Sequence, residues 1–347
     1  MNHREPSRRD ILRAAALLPL MGALPAMSAL AQAAAPGGGG NPTPSPTPTN
    51  APTIAPLSAP SRTLRFAHFT DSHLQPERAG AEGTAAALRH AQELPDKPAF
   101  IMTGGDNVMD VFDQKDGRTR ELAKLFKETW AANCILPVEH TIGNHDIYGW
   151  NRTKSGTSGT EADWGKKFAL DLFGLAAPYR AFDRGGWRFV VLDSVQSKDS
   201  GYVAFCDDAQ MDWLRATLKD TPKTMPICVV SHIPILSLAA ITYGKPRSLD
   251  ERGTPIVIDA GSQHTDGDSL HLMFKEHGGV KLCLSGHQHL LDRCETDGIT
   301  YICDGAVSGA WWKGSVQGVR EGYGLIDLYD DGSFNHKYVQ YGWVAKS

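Results

Sequence analysis

Five short motifs along this chain carry His, Asp and Asn side chains, which are residue types that bind divalent metal ions. The motifs are Asp71-x-His73, Gly105-Asp106, Gly143-Asn144-His145-Asp146, Ser231-His232 and Gly286-His287-x-His289. Two divalent ions held roughly 3.5–4 Å apart form a clamp for in-line attack on phosphorus. The motifs therefore predict a site for two metal ions and, as its reaction, the hydrolysis of a phosphoric ester.

The spacing within the motifs suits shared metal ligation. Residues two apart in extended backbone point the same way, so Asp71 and His73 can hold one ion. His287 and His289 have the same spacing and either share an ion or serve one ion each. Asp106 follows two glycines, which allow a close approach of the backbone, and its two carboxylate oxygens can bridge a pair of cations.

The predicted secondary structure places each motif directly after a strand. Apolar patterning predicts strands over residues 64–70, 99–103, 137–142, 226–231 and 280–285,. Helical spacing of apolar residues predicts helices over 82–94, 118–132, 162–173, 208–218 and 269–277. Turn residues predict hairpins that join 179–182 to 187–193, 292–296 to 299–303 and 323–329 to 336–341,. Strands that alternate with helices indicate an α/β fold, whose parallel strand ends would bring the motifs to one rim.

The order of the five motifs resembles the calcineurin-like metallophosphoesterase family, over about 280 residues from Leu64 to the C-terminus. The resemblance implies an α/β fold, a four-layer α/β/β/α sandwich of two mixed sheets with a dinuclear metal site at one rim. It also implies an enzyme, a phosphoric ester hydrolase whose cofactors are two divalent metal ions. Manganese, iron and zinc all stay open, because the ligand types do not separate them.

The resemblance implies a role for each candidate side chain. Asp71, His73 and His289 would hold one ion, Asn144, His232 and His287 the other, and Asp106 would bridge the two. A hydroxide shared by the ions would then be the nucleophile. His145 would contact the substrate and protonate the leaving oxygen without being a ligand.

Two departures from related branches narrow the resemblance. In the protein-phosphatase branch, an Asp three residues after the bridging Asp orients the catalytic His. Met109 holds that position here, and Asp110 follows one residue later, so the resemblance does not assign Asp110 this role. Purple acid phosphatases have an iron-ligating Tyr at the same position, so Met109 argues against a purple ferric site. The pattern is closer to the bacterial cyclic-nucleotide phosphodiesterase and glycerophosphodiesterase branch.

The expected function is therefore the hydrolysis of a small-molecule phosphodiester. One alternative is a broad-specificity phosphomonoesterase that scavenges phosphate. Another is a non-catalytic module that binds metal or phosphate. Such a module would be expected to have lost His145 or a ligand, and this chain keeps them all.

Several aromatic residues lie close to the motifs in sequence. Tyr148 and Trp150 follow Asn144 and His145, and these four are the candidate substrate-binding residues. The two aromatic rings either stack on an ester group of the substrate or pack beneath the loops.

The C-terminal half holds two further candidate features. Trp311 and Trp312 are adjacent, and adjacent residues on a strand face opposite ways, so at most one would face the substrate. Residues 236–268 show little periodicity, which is typical of a lid or specificity loop. Within them, His264 and Asp266 are candidates for a pair that supports the metal centre from outside.

The N-terminus is typical of an export signal. Ser7-Arg8-Arg9-Asp10-Ile11-Leu12 has the twin-arginine pattern, an apolar stretch follows, and Ala29-Leu30-Ala31 offers a cleavage site,. We therefore expect a signal peptide over residues 1–31, the twin-arginine export machinery as a partner, and a periplasmic or extracellular protein. Pro19 and Pro25 interrupt the apolar stretch, which disfavours a stable spanning helix. No stable membrane span is expected after cleavage.

Composition bounds the rest of the chain. Residues 32–62 are rich in Gly, Pro and Thr and predict a disordered linker, which leaves residues 63–347 as the metallophosphoesterase domain. The 347-residue chain is 41% apolar and 21% charged, with a net charge of −4. It has no basic run, so no nucleic-acid-binding surface is expected.

The six cysteines include no C-x-x-C pair, so a thiolate zinc site is not expected,. An exported protein can form disulfides. Cys228 and Cys283 each precede a candidate ligand by four residues and would lie at similar depth on neighbouring strands. Burial as free thiols is the favoured interpretation, and pairing stays open.

Overall fold

The computed structural model of the protein describes residues 59–242 and 258–346. The predicted signal peptide, most of the predicted linker and part of the predicted lid lie outside these residues. Within the described residues, no helix has the length and apolar character needed to span a membrane.

The described residues form two large sheets, one hairpin and several helices. The strands are β1 Arg62–Phe69, β2 Ile101–Thr103, β3 Val138–Glu139, β4 Arg180–Arg184, β5 Trp187–Val191, β6 Val195–Lys198, β7 Gly201–Ala204, β8 Ile227–Val230, β9 Val280–Ser285, β10 Asp292–Thr296, β11 Ile299–Cys303, β12 Gly322–Tyr329 and β13 Phe334–Gln340. The α-helices are α1 Gly80–Glu93, α2 Asp116–Asn133, α3 Arg152–Ser155, α4 Lys166–Phe173, α5 Asp208–Lys219, α6 Ala239–Thr242 and α7 Gly267–His277. Short 3₁₀ turns span Glu77–Ala79 and Asn144–Asp146.

Both large sheets contain parallel and antiparallel pairs. The first has the strand order β13-β12-β1-β2-β3, in which β1, β2 and β3 are parallel and β12 is antiparallel to its neighbours. The second has the order β10-β11-β9-β8-β5-β4, with four parallel central strands and an antiparallel strand at each edge. β6 and β7 pair only with each other.

Apolar side chains hold these sheets face to face and attach helices to their outer sides. Between the sheets, the ring of Phe66 on β1 lies 5.4 Å from that of Phe189 on β5, inside a buried cluster fed by both sheets. Leu88 of α1 and Leu122 of α2 pack outside the first sheet. The cluster outside the second sheet contains residues of α5 and α7, among them Phe274. The predicted four-layer α/β/β/α sandwich is confirmed.

Most predicted elements are present, and the differences have local causes. The predicted strand over 137–142 is reduced to β3, because the Thr141 N–H bonds the side-chain oxygen of Thr103 rather than a neighbouring strand. The predicted helix over 162–173 begins only at Lys166. Gly165 before it has a φ of 73° and exchanges backbone hydrogen bonds with Tyr148. The hairpin of β6 and β7 is an element that the sequence analysis did not predict.

All six cysteines are free thiols. β8 and β9 are neighbours, as supposed, but the register pairs Val229, not Cys228, with Cys283. Cys228 therefore lies in the cluster between the sheets, and Cys283 lies in the cluster beneath the outer helices. Because the two side chains leave opposite faces of one sheet, no disulfide joins them.

Candidate metal centre

The five motifs meet where the two sheets end side by side. Three of them follow β1, β2 and β3 of the first sheet, and two follow β8 and β9 of the second. Backbone hydrogen bonds tie the loops together, from Asp71 N to Gly105 O at 3.0 Å and from His73 N to Asp106 O at 2.9 Å. The Gly286 N–H donates to the His232 carbonyl at 3.0 Å, which joins the two motifs of the second sheet.

Most candidate ligands have a backbone conformation that non-glycine residues rarely adopt. Five of the seven have a positive φ: Asp71, His73, Asp106, His287 and His289, with values between 39° and 69°. Non-glycine residues in this region cost roughly 1–3 kcal/mol each and persist where the surrounding structure over-determines them. Backbone strain that is concentrated at the candidate ligands indicates a functional site.

The first cluster of candidate ligands consists of Asp71, His73 and His289. Nε2 of His289 lies 3.0 Å from Nε2 of His73 and 3.2 Å from Oδ1 of Asp71. All three side chains are buried. Their ligand atoms lie within 4.8 Å of one another, as those around one ion do.

The second cluster consists of Asp106, His232 and His287, with Asn144 beside them. Nε2 of His232 lies 3.0 Å from the Asn144 amide oxygen, 3.2 Å from Oδ2 of Asp106 and 3.2 Å from Nδ1 of His287. The same Asp106 oxygen is 3.7 Å from Nε2 of His73, which belongs to the first cluster. Asp106 therefore lies between the two clusters, where the resemblance placed a bridging carboxylate.

Hydrogen bonds outside the clusters fix how the ligand atoms face inward. Nδ1 of His232 donates to Gly104 O at 2.8 Å and Nδ1 of His289 donates to Gly309 O at 2.5 Å, which leaves each Nε2 lone pair free,. Oδ2 of Asp71 accepts from the Thr70 hydroxyl and from the His287 N–H. These contacts preorganise a ligand set before any ion binds.

A cation bound to the first cluster would satisfy a buried atom that has no hydrogen-bond partner. Oδ1 of Asp71 is buried and receives no hydrogen bond, although a buried carboxylate oxygen without a partner is costly. The facing imidazole nitrogens of His73 and His289 lie 3.0 Å apart and those of His232 and His287 lie 3.2 Å apart, which suits ligation of one ion by each pair. A carboxylate, amide and imidazole donor set fits divalent metal ions, so the residues present fit the dinuclear group that the resemblance implies.

Burial lowers the pKa of some candidate histidines, whereas neighbouring carboxylates outweigh burial and raise that of others. Burial lowers the pKa of His73 to about 4 and that of His287 to about 3, so both rings are neutral at pH 7 and can ligate,. Burial opposes the charged form of His232, but Asp106 outweighs it and raises the pKa of this candidate ligand to about 9. Burial also opposes the charged form of His145, but Asp106 and Asp110 outweigh it and raise its pKa to about 9. Burial opposes the ionised form of Asp106 as well, yet His232 and His145 hold its pKa below the ordinary value.

His145 occupies the edge of the two clusters and has a carboxylate on each side. Its Nε2 lies 3.9 Å from Oδ2 of Asp106, and its Nδ1 lies 3.4 Å from Oδ1 of Asp110 without an aligned hydrogen bond. The sequence comparison left Asp110 unassigned because it is one residue out of register. In the structure Asp110 has a φ of 38° and carries its carboxylate to His145.

A cleft of about 400 Å3 opens beside His145 and is lined in part by Phe112, Tyr202 and Asp259. The predicted substrate-binding residues Asn144 and His145 line it, but Tyr148 and Trp150 do not.

The stacking prediction for Tyr148 and Trp150 is wrong, because their side chains are only 1% and 9% exposed. Tyr148 packs in the cluster beside α1 and α2, and its hydroxyl donates to Asp116 at 3.2 Å. Trp150 packs in a separate cluster with Phe112. Their position soon after the Asn144-His145 motif reflects how that loop is anchored, which is the packing alternative.

The remaining candidates have mixed outcomes. Trp311 is exposed and lies against His289, whereas Trp312 is fully buried, so one of the two faces the centre as expected. His264 and Asp266 do pair, at 2.8 Å, but they adjoin Cys206 rather than the candidate ligands.

The sequence analysis missed one side chain near the centre and gave another, Asp146, no role of its own. Tyr202 on β7 has its ring 6.1 Å from that of His287, and the turn residues Asp199-Ser200-Gly201 were the signal for its hairpin. Asp146 accepts backbone hydrogen bonds from Asn107, Val108 and Gly143, so it organises the loop and does not ligate.

The fold and the paired His/Asp clusters define a dinuclear-metal phosphoesterase. Residues 64–291 match the calcineurin-like phosphoesterase family, and the chain belongs to that family. No curated protein matches the chain.

Three solved structures that align with this chain share little sequence with it. A dimetal phosphatase from Danio rerio aligns with a TM-score of 0.53 at 16% identity, covering 80% of this chain and 96% of its own. GAP50, the anchor in the inner membrane complex of Plasmodium, aligns with a TM-score of 0.47 at 17% identity, covering 80% and 85%. Phosphopantetheinyl hydrolase from Mycobacterium tuberculosis aligns with a TM-score of 0.42 at 13% identity, covering 70% and 89%.

Proposed function

We propose that this phosphoesterase hydrolyses small-molecule phosphodiesters. The observation that carries the proposal is the pair of ligand clusters that share Asp106, with His145 at their edge and an open cleft beside it. Two divalent ions bound there supply Lewis acidity and an activated water. Manganese, iron and zinc all suit the donor set.

The side chains divide the work between holding ions and moving a proton. Asp71, His73, His289, Asn144, His232, His287 and the shared Asp106 would hold the ions. His145 lies between the carboxylates of Asp106 and Asp110, at 3.9 and 3.4 Å, which places it to carry a proton beside the centre. It can pass that proton to the leaving oxygen of the ester, a step worth about 10²–10⁴ in rate.

The charge of the cleft favours a diester over a monoester. Asp110, Asp113 and Asp259 line it, and among the described lining residues there is no Lys or Arg. Lys154 pairs with Asp113 at 2.6 Å and His145 lies 3.4 Å from Asp110, which leaves the Asp259 carboxylate facing the substrate. A phosphomonoester carries close to two negative charges at pH 7 and a diester carries one, so this carboxylate repels the monoester more strongly.

The His145→Ala variant tests the catalytic part of the proposal. Turnover of bis-p-nitrophenyl phosphate should fall by about 10²–10⁴, while the metal content stays near two ions per chain. His271→Ala is the matched control, because His271 lies on α7 and contacts Tyr301 and Asp297. Unchanged turnover in His145→Ala would show that the assignment of the acid is wrong.

A substrate comparison tests the diester part. The metal-loaded enzyme should hydrolyse bis-p-nitrophenyl phosphate, cyclic nucleotides or glycerophosphodiesters faster than p-nitrophenyl phosphate. A diester-to-monoester ratio of kcat/KM well below one would instead support the phosphomonoesterase. Bound metal without turnover of any ester would support a non-catalytic module.

We further propose that the protein is exported by the twin-arginine route to the periplasm or the extracellular space. The support is the sequence Ser7-Arg8-Arg9-Asp10 with its apolar stretch and cleavage site,. The signal would span residues 1–31 and the linker 32–62, ahead of a domain over 63–347. Replacing Arg8 and Arg9 by Lys should retain the protein in the cytoplasm, and N-terminal sequencing of the exported form should begin after Ala31.

A further inference from the structure

Trp311 lies directly against the candidate metal centre. Its ring centroid is 4.5 Å from that of His289 and 5.8 Å from that of His73. The side chain is 36% exposed, whereas Trp187 and Trp312 are fully buried. About a third of this residue is therefore exposed to solvent beside two candidate ligands.

The backbone holds this ring in place at an energetic cost. Trp311 has a φ of 51° and Trp312 a φ of 68°, a conformation that is unusual for bulky residues,. Two consecutive aromatic residues in this region require the surrounding structure to enforce it. The position of the exposed ring is thus determined by its neighbours.

Trp312 anchors the turn from below. Its Nε1 donates to His73 O at 3.0 Å, and its ring packs on α1 where only glycine fits. A Cβ on Gly83 would lie 2.1 Å from the Trp312 ring. The same turn is tied to the ligand backbone by the Ser308 hydroxyl, which donates to Asp71 O at 2.7 Å.

Trp311 and the candidate acid His145 have His73 as a common neighbour. The ring of His73 touches both neighbours, with its centroid 4.9 Å from that of His145 and 5.8 Å from that of Trp311. The exposed part of the indole is open to a group of a substrate held at this centre.

We propose that Trp311 is a specificity residue that stacks on a planar aromatic ring in the ester group of the substrate. This inference rests on the proposed function, because it concerns the phosphoric ester held at the same centre. Aryl and nucleoside esters carry such a ring. An ester with a saturated ring of the same size would bind less tightly. An aromatic face selects a flat partner, since offset stacking needs a planar π surface on both sides.

A pair of phosphonates tests the stacking without relying on turnover of each compound. Benzylphosphonate and cyclohexylmethylphosphonate have the same phosphonate group and rings of similar size, but only the first is planar. Their inhibition constants are measured on the metal-loaded enzyme against bis-p-nitrophenyl phosphate. Quenching of tryptophan fluorescence by p-nitrobenzylphosphonate gives a binding readout that is independent of activity.

The wild type should bind benzylphosphonate more tightly than its saturated analogue. Trp311→Leu should weaken the benzyl compound about tenfold, with little change for the saturated one, and Trp311→Phe should retain most of the preference. Trp213→Leu is the matched control, because Trp213 lies on α5 and packs against Tyr179, with the two ring centroids 4.9 Å apart. The ratio of the two inhibition constants tests the stacking role, since both constants are measured on the same metal-loaded enzyme.

Other results separate the two proposals. If Trp311→Leu weakens both phosphonates equally or neither, Trp311 only covers the ligands and the stacking role is overturned. If the wild type hydrolyses esters but does not distinguish the phosphonates, the proposed function stands and this inference fails. If the enzyme hydrolyses no ester, but benzylphosphonate displaces the quenching p-nitrobenzylphosphonate at lower concentration than cyclohexylmethylphosphonate does, the stacking role stands and the proposed function fails.

Discussion

Gly286→Ala places one methyl group against Asp71, a candidate ligand of the first cluster. The new Cβ would lie 1.7 Å from the Thr70 hydroxyl oxygen and 2.3 Å from Oδ2 of Asp71. Rotation of the hydroxyl does not relieve the clash, because the Cβ of Thr70 is itself only 2.7 Å away. Gly286 does not have a positive φ, so the backbone accepts alanine and the steric clash is the only perturbation.

Overpacking of this kind costs about 1–3 kcal/mol in free energy of unfolding. We expect the upper part of that range, because the contacts on both sides are fully buried. Relief of the clash has to move Asp71, whose Oδ2 accepts the His287 N–H at 2.8 Å. The ion held by Asp71, His73 and His289 should therefore be lost first, and the metal content should fall from two ions toward one.

Two measurements check this prediction. Urea unfolding of chelator-treated protein gives the cost of the clash without any contribution from metal, and elemental analysis of reconstituted protein counts the ions. Gly117→Ala is the matched control, since a Cβ at this position on α2 meets nothing within 4 Å and should leave stability unchanged or slightly raised. If Gly286→Ala unfolds like the wild type and holds two ions, the close packing of this motif against Asp71 is refuted.

Two further predictions concern metal and pH. Removing the ions with a chelator should abolish turnover and lower the unfolding temperature, because an ion present at a hundred times its Kd contributes about 2.7 kcal/mol; full activity after complete removal would contradict a metal-dependent site. His336→Leu should cost about 1.5–3 kcal/mol at pH 6, since its Nε2 donates to the buried Asp304 at 2.7 Å. Burial opposes the charged form of each partner, but the pair lowers the pKa of Asp304 and raises that of His336. The contribution of Asp304 is therefore present above its ordinary pKa of 3.8 and lost at lower pH, and that of His336 is present below 6.5 and lost as pH rises through its raised value. Urea unfolding of both proteins at pH 6 and pH 9 should show a smaller difference at pH 9, and an equal difference would exclude the ion pair.

Sequence reasoning predicted the elements whose pattern is local. The strand over 280–285 and the hairpin around Asp297-Gly298 have their predicted bounds, because apolar continuity and turn residues specify them directly. β3 could not be bounded in this way, since it ends where Thr141 bonds the side chain of Thr103, a residue 38 positions earlier.

The candidate site shows the same division. Order and spacing sufficed to propose seven ligands, and the structure brings all seven together. They did not place Asp110, whose carboxylate reaches His145 through an uncommon backbone conformation. Nor did they show that Tyr148 turns into the core, because exposure depends on what α1 and α2 cover.

The strained ligand backbone links the stability of this domain to its metal content. Asp71, His73, Asp106, His287 and His289 all have positive φ, and their loops come from two different sheets. Both sheets contribute to holding these conformations, because the hydrogen bond from His287 N to Asp71 Oδ2 crosses from one sheet to the other. Bound ions would add contacts in the folded state only, which offsets the strain. Loosening the interface between the sheets should therefore weaken metal binding before it unfolds either layer.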